Sequence, residues 1–438
     1  MISGYHCHGK SISPGESKAT AEVMGSKQQF KYYVTYTPLP IRVMNTLVRE
    51  TVPDFKKWIS LKVEDLLETA CRKTNLDDWG DPWFQEALTA ILDSVNQEGK
   101  LTFFGRFTIR QFLIENLCSR LRVIEVLKRF PEIQQQKIQK PIVITGWYRT
   151  GTTHLHNLIA SHPNVRAPLF WELRHPCPTV DPRTTDPKRQ IRKVQLASKI
   201  HSYLVPGFSN VHPLEAEKPE ECLHLFDKAC AGTTPFFISE AKSFAWWLLD
   251  HGLQHGYDFY KIQLQLLNWL RPGQLWVLKW PYHLWHLDTL MKTFPDATII
   301  HLHRDPGEAI PSICNLAALA RSSFCESIDN EALGHFWLDY YETGLARGFA
   351  AREEADANQV IDIRFPDLKK NPLSVINQIQ NTISLGGFEA WAESVQADSK
   401  IMGKKVPGRR HCAPTQFGLD PNEIRERFDK YIVTYNLT

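Results

Sequence analysis

The chain has 438 residues, 43% of them hydrophobic and 23% charged, a profile that excludes a disordered or fibrous protein and leaves room for one large core with an accessory region. Fifty-one Lys and Arg against 48 Asp and Glu give a formal net charge of +3, which excludes bulk nucleic acid as the main partner and confines any anion site to a local pocket. The opening MISGYHCHGKSISPGESK lacks the apolar core of a secretory signal, and no run of about 18 apolar residues follows it, so neither export nor a membrane span is expected.

Nine cysteines, widely spaced and without a CxxC pair, read as reduced thiols of a cytoplasmic protein. The nearest metal-like spacings are His154/His156 and His301/His303. Neither has a second pair at a ligand spacing, and no metal site is expected.

Residues 1–30 are polar and without apolar period, as in a loose arm. Residues 31–138 read as a helical region packed on the core. Ile59, Val63, Leu66, Leu67 and Ala70 share one helical face, as do Phe84, Leu88, Ile91, Leu92 and Val95, and then Leu113, Leu117, Leu121 and Ile124. After Pro141 the period changes. Ile142-Val143-Ile144 is a short β-branched run, followed by a glycine turn and by Leu155, Leu158 and Ile159 at helical spacing. Leu275–Leu278, Thr298–Leu302 and Val360–Ile363 are further strand candidates separated by helix-length segments. Residues 139–438 are therefore expected to form an α/β three-layer sandwich around a central parallel sheet. A helical insertion at about residues 200–272, with Trp246 and Trp247, interrupts the alternation and is expected to build an acceptor pocket and lid.

Gly146-Trp-Tyr-Arg-Thr-Gly151-Thr152-Thr153 sets two glycines five positions apart between strand and helix, the arrangement of a phosphate-binding loop whose curled backbone and helix N-terminus face an anion. An NTPase loop carries lysine after the second glycine. Thr152 stands there, and the cation is Arg149, able to grip an oxyanion bidentately.

With its flanks, PIVITGWYRTGTTHLHNLIASHPNVRAPLFWELRHPCP, the loop resembles the sulfotransferase superfamily that uses 3'-phosphoadenosine 5'-phosphosulfate (PAPS), in its bacterial-type branch with helical N-terminal extensions. The resemblance runs from about Leu66 to the C-terminus. It implies that Arg149, Thr150, Gly151, Thr152 and Thr153 hold the 5'-phosphosulfate. Tyr148 stands where the family commonly has proline. Arg304 follows a strand and precedes an Asp305-Pro306 helix start, with Ser312 eight positions on; the resemblance assigns this pair to the donor's 3'-phosphate. Arg409 and Arg410, in a basic stretch before FGLDPNEIRERFDKY, are further candidates for that phosphate or a solvated basic loop. Phe365 stands where a tyrosine near the adenine is frequent and is left outside the site.

Sulfuryl transfer to a small acceptor needs an in-line approach, a base for the acceptor proton and a cation for the leaving oxygen. Arg149 and Lys279, the latter at the end of an apolar strand, are the cation candidates. The base has two candidates. Glu172 lies 23 residues past Arg149 among apolar neighbours, and His283 lies four residues past Lys279. An ATP-dependent small-molecule kinase and a non-catalytic nucleotide-binding protein are the alternatives to a sulfotransferase.

Overall fold

The structure, a computed structural model, describes residues 37–402 and 412–437 apart from positions 53, 180, 185, 274, 357 and 384. The expected arm at residues 1–30 lies outside the described residues.

Four long helices lead the chain: α1 (Leu39–Thr51), α2 (Val63–Thr74), α3 (Trp83–Glu98) and α4 (Phe103–Arg129). The α2 stripe starts one turn later than its apolar spacing suggests. Ile59 is buried, but it closes a separate turn over Phe55–Trp58, and Lys62 is extended before α2 begins. The stripes of α3 and α4 face inward as their period requires. With the α2 stripe they merge into one apolar cluster that includes Val143, Leu278 and Ile299 of the sheet.

Five parallel strands form that sheet: β1 (Ile142–Gly146), β2 (Val165–Arg166), β3 (Leu275–Lys279), β4 (Thr298–His303) and β5 (Val360–Arg364), in the order β2-β3-β1-β4-β5. The strand-rich runs were legible; β2, two residues long, carries no period and was not. Side chains alternate faces along each strand. Val143, Trp276, Leu278 and Ile299 enter the cluster shared with the leading helices. Ile142, Ile144, Val277, Ile300 and Leu302 pack on the opposite face against α5 (Thr152–Ala160) and Val375, Ile376 and Ile379. That alternation makes three layers, with β1 central.

The segment between β2 and β3 is helical; it includes α6 (Pro187–Leu204), capped by Asp186, and ends with α7 (Lys242–Asp250) and α8 (Gln254–Leu270). Trp246 and Trp247 belong to helix packing. Trp247 lies against Trp83 and His251, and Trp246 against Phe336 and Tyr340. Beyond β4 run α9 (Pro306–Arg321) and α10 (Asn330–Glu353). As its Asp-Pro start predicts, α9 is capped by Asp305, whose carboxylate accepts from the Gly307 amide at 2.8 Å.

Candidate active site

The carboxyl ends of β1, β3 and β4 converge on the glycine loop. Gly146 ends β1 with φ 135°, and Gly151 opens α5 with φ 94°, conformations only glycine adopts without strain. Space is closed as well. A Cβ at Gly146 would stand 2.6 Å from the Leu302 carbonyl oxygen, and one at Gly151 2.5 Å from the Phe365 ring. From below, Trp147 packs on Tyr341, Phe428 and Tyr431, and the Tyr341 hydroxyl donates to the Tyr148 carbonyl at 3.0 Å. The loop is thus fixed to the core by its own aromatics.

Arg149 holds a left-handed φ of 72°, uncommon for a residue with a side chain. Its Nε donates to Ser312 Oγ at 3.1 Å and its Nη1 to the Val211 carbonyl at 3.3 Å, while its own carbonyl accepts from Arg304 Nη1 at 2.6 Å. The two stretches singled out as anion anchors therefore meet in one network. Arg304 also pairs with Glu308 at 2.7 Å and lies over the Phe365 ring at 4.6 Å. Phe365, left out on sequence grounds, closes both the loop and Arg304. Thr150 turns inward, donating to the Trp147 carbonyl at 2.8 Å, and Thr152 is buried. Arg409 and Arg410 lie outside the described residues.

Lys279 is wholly buried at the end of β3, one residue past the reach of its apolar run. Its ammonium donates to Glu221 Oε1 at 2.8 Å and to Thr153 Oγ1 of the loop at 3.3 Å, and lies 3.7 Å from Glu220 Oε1. Both carboxylates are buried. The segment bearing them is tied to the strand, because the Cys222 amide donates to the Lys279 carbonyl at 2.9 Å. Glu220 accepts from the Glu221 amide at 2.8 Å and from His212 Nε2 at 3.1 Å. Burial works against charge on Glu220, but the charge and hydrogen bond of His212, with Lys279, outweigh it and hold this carboxyl well below the usual carboxylate range. His212 is the mirror case: burial opposes its charge, and Glu220 more than offsets that, raising the imidazole above its usual 6.5.

Glu172 and His283 have other partners. Glu172 accepts from the Leu169 amide at 2.9 Å, and its Oε1 accepts from Arg166 at 3.1 Å and Arg271 at 3.4 Å. It caps a short helix, Phe170–Arg174. Arg166 stands in register with Trp276, three residues, about 10 Å, before Lys279 along the strand direction. His283 has no exposure. Its Nδ1 shares a 2.7 Å hydrogen bond with the Tyr257 hydroxyl, and burial pushes its pKa down to about 3, which makes it a poor proton acceptor at neutral pH.

Glu220, Glu221 and His212 went unassigned in the sequence. Glu215 and Glu217, close by in the same acidic run, are exposed, and composition does not separate the two kinds. The available signal lies immediately downstream: Glu220 and Glu221 run directly into Cys-Leu-His-Leu-Phe, an apolar turn that dives into the core. Among the described residues, two convergent donor sets, His212/Glu220/Glu221 and His301/His303/Asp362, have the composition of cation sites. Each already surrounds a protein cation. Lys279 sits on the first, and Arg352 bonds both Asp362 oxygens and His301 Nδ1 in the second.

Comparison with known proteins agrees with this architecture. The crystal structure of sulfotransferase STF1 from Mycobacterium tuberculosis superposes with a TM-score of 0.73 at 28% identity, covering 84% of this chain and 98% of that one. That of sulfotransferase STF9 from Mycobacterium avium gives 0.75 at 25% identity, covering 86% and 97%. In sequence, the omega-hydroxy-beta-dihydromenaquinone-9 sulfotransferases Stf3 of Mycobacterium bovis and Mycobacterium tuberculosis are 25% identical over 256 residues, 57% of this chain. The match spans 64% of those relatives' length. The model of the Sulfotransferase family matches residues 141–389, which contain the loop, both anchors, Lys279 and the two buried carboxylates; the chain belongs to the sulfotransferase family.

Proposed function

We propose that the protein transfers the sulfuryl group of PAPS to a hydroxyl of a small, apolar acceptor. The observation that carries this reading is Lys279, a wholly buried cation bonded at once to Thr153 of the anion loop and to Glu221. The donor set suits the nucleotide: a glycine cradle with no room for a Cβ, Arg149 within it, and Arg304 with Ser312 at its far side. In this reading the loop, with Arg149, Thr150, Gly151, Thr152 and Thr153, holds the sulfated end, and Arg304 and Ser312 hold the 3'-phosphate. PAPS supplies an activated sulfuryl group.

The chain's own groups do the rest. As the acceptor oxygen bonds to sulfur and the bridging S–O bond breaks, Lys279 and Arg149 neutralise the leaving phosphate oxygen. The acceptor proton passes to Glu221. Glu220, locked ionised by His212, keeps negative charge beside Lys279. Glu221 replaces Glu172 and His283 in this role because its carboxylate touches the lysine, whereas the Glu172 carboxylate is committed to Arg166 and the His283 imidazole to Tyr257. No metal enters the scheme, since Lys279 fills that donor set. The apolar acceptor class follows the menaquinone-derived substrate named for the Stf3 relatives. The eight described cysteines are unpaired thiols, which suits a cytoplasmic setting.

Thermal unfolding with adenosine 3',5'-bisphosphate or with ATP-Mg tests the donor. Stabilisation by the bisphosphate supports the proposal, and stabilisation by ATP-Mg alone overturns it in favour of a kinase.

A further inference from the structure

Helix α6 is the most exposed long helix leading to the site. Of its 18 residues only Val194 is buried. Leu196, Ile200 and Tyr203 are 60%, 50% and 58% exposed, at i, i+4 and i+7 on one stripe. Five cations, Lys188, Arg189, Arg192, Lys193 and Lys199, are exposed along the helix, which contains no Asp or Glu. Among the described residues none of the five is in an ion pair, and the nearest carboxylate along the chain, Asp186, caps the helix by accepting from the Lys188 amide.

A second exposed apolar stripe lies on α1. Leu39, Val43 and Leu47 of α1 are 47–59% exposed, with Arg42 and Arg49 beside them. The start of α1 and the end of α6 are tied to the same turn, because Thr37 Oγ1 donates to the Ser322 carbonyl at 2.7 Å and Ser323 Oγ donates to the Leu204 carbonyl.

We infer that α6 is a docking surface for an anionic lipid bilayer, lying in the headgroup plane with Leu196, Ile200 and Tyr203 inserted and the five cations on the phosphates. Apolar residues in a stripe rimmed by unpaired cations, on a helix without acidic residues, match that partner in both hydrophobicity and charge. No described helix is long and apolar enough to cross a membrane. This is attachment to a surface and not a span.

The surface is coupled to the site by a short path. After Leu204 the chain turns through Phe208–Val211, whose Val211 carbonyl holds Arg149, and reaches His212, which holds Glu220. A docked bilayer therefore stands beside the residues that flank the loop. That it also supplies the acceptor, a membrane-resident hydroxylated lipid, rests on the sulfuryl-transfer reading; the docking does not.

Flotation of the full chain with phosphatidylcholine vesicles, with and without phosphatidylglycerol and in the absence of nucleotide, reads docking alone. Binding is expected only with phosphatidylglycerol, and is expected to weaken with added salt. Arg192→Glu with Lys193→Glu is expected to lower it at least about twentyfold. Leu196→Ser with Ile200→Ser is expected to lower it about tenfold, with unchanged circular dichroism and unchanged stabilisation by adenosine 3',5'-bisphosphate. Failure of the unaltered chain to float, equal flotation of all three proteins, or a dimer in light scattering that the Leu196/Ile200 variant dissolves would each overturn the proposal.

Discussion

Lys279 and Glu221 form a 2.8 Å ion pair with the lysine wholly buried. A buried pair is a weak source of stability but a costly thing to break, since the surviving charge is left in low dielectric. Its position at the end of β3, against the anion loop, is better explained by chemistry than by folding.

Glu221→Gln keeps the shape of the carboxylate and removes its basicity. Turnover is expected to fall about 100- to 10,000-fold, with donor affinity unchanged within a few fold. Single-turnover kinetics with labelled PAPS measure both. A variant with full turnover would remove Glu221 as the base.

Glu172→Gln is expected to behave as a stability variant. Its carboxylate is buried, and Arg166 is largely so, while Arg271 is half exposed, which reduces the effect through solvent screening. About 2 kcal/mol of destabilisation is expected, with turnover per folded molecule retained. Loss of turnover in a folded variant would restore Glu172 to the base role.

The Arg304→Ala variant is expected to weaken adenosine 3',5'-bisphosphate about 10- to 100-fold, the worth of a hydrogen bond between charged groups. Ser312→Ala is expected to cost less, about five- to tenfold. Calorimetric titration decides. Equal affinity in both variants would separate this pair from the nucleotide.

Gly151→Ala adds a Cβ 2.5 Å from the Phe365 ring at φ 94°. About 3 kcal/mol of destabilisation is expected from the strained backbone and the overlap together. Phe365→Leu in the same chain is expected to recover part of it. Melting temperatures of the single and double variants test this, and simple additivity would argue against the contact.

The His212–Glu220 pair predicts a pH effect. His212 has its pKa raised above 6.5 in the folded protein, so its contribution is fully present below that value and is lost as pH rises through the folded pKa. Glu220, depressed, loses its contribution only as pH falls well below the ordinary carboxylate range. Wild type and His212→Asn should therefore differ most in melting temperature at mildly acidic pH and converge as the solution becomes alkaline.

Much of the fold was written in local pattern. The runs Ile142–Ile144, Leu275–Leu278 and Thr298–Leu302 are β-branched or apolar apart from His301 because both faces of these strands are covered. Each strand extends one or two residues beyond its run, to Gly146, Lys279 and His303, since the backbone ladder continues where the side chains turn polar. Of those added residues, Gly146 and Lys279 are at the site. The loop and Arg304 were legible because glycine spacing and an Asp-Pro start are local signals. Glu220, Glu221 and His212 were not, because their partner Lys279 is 58 residues from Glu221 and only the fold joins them. Glu172 looked suitable for the converse reason: apolar neighbours along the sequence said that it is buried, not that Arg166 and Arg271 hold its carboxylate.

Arg149 reaches Ser312 through its guanidinium and Arg304 through its carbonyl. One residue thus spans the gap between the two ends of the proposed nucleotide site, and each end is registered by the other before any ligand arrives. A ligand that displaced Ser312 from Arg149 would shift the peptide against which Arg304 rests. The site should then respond to the length of its ligand as well as to its charge: a molecule with only one anionic end would disturb half of a shared linkage, and one with both ends at the right separation would replace it whole.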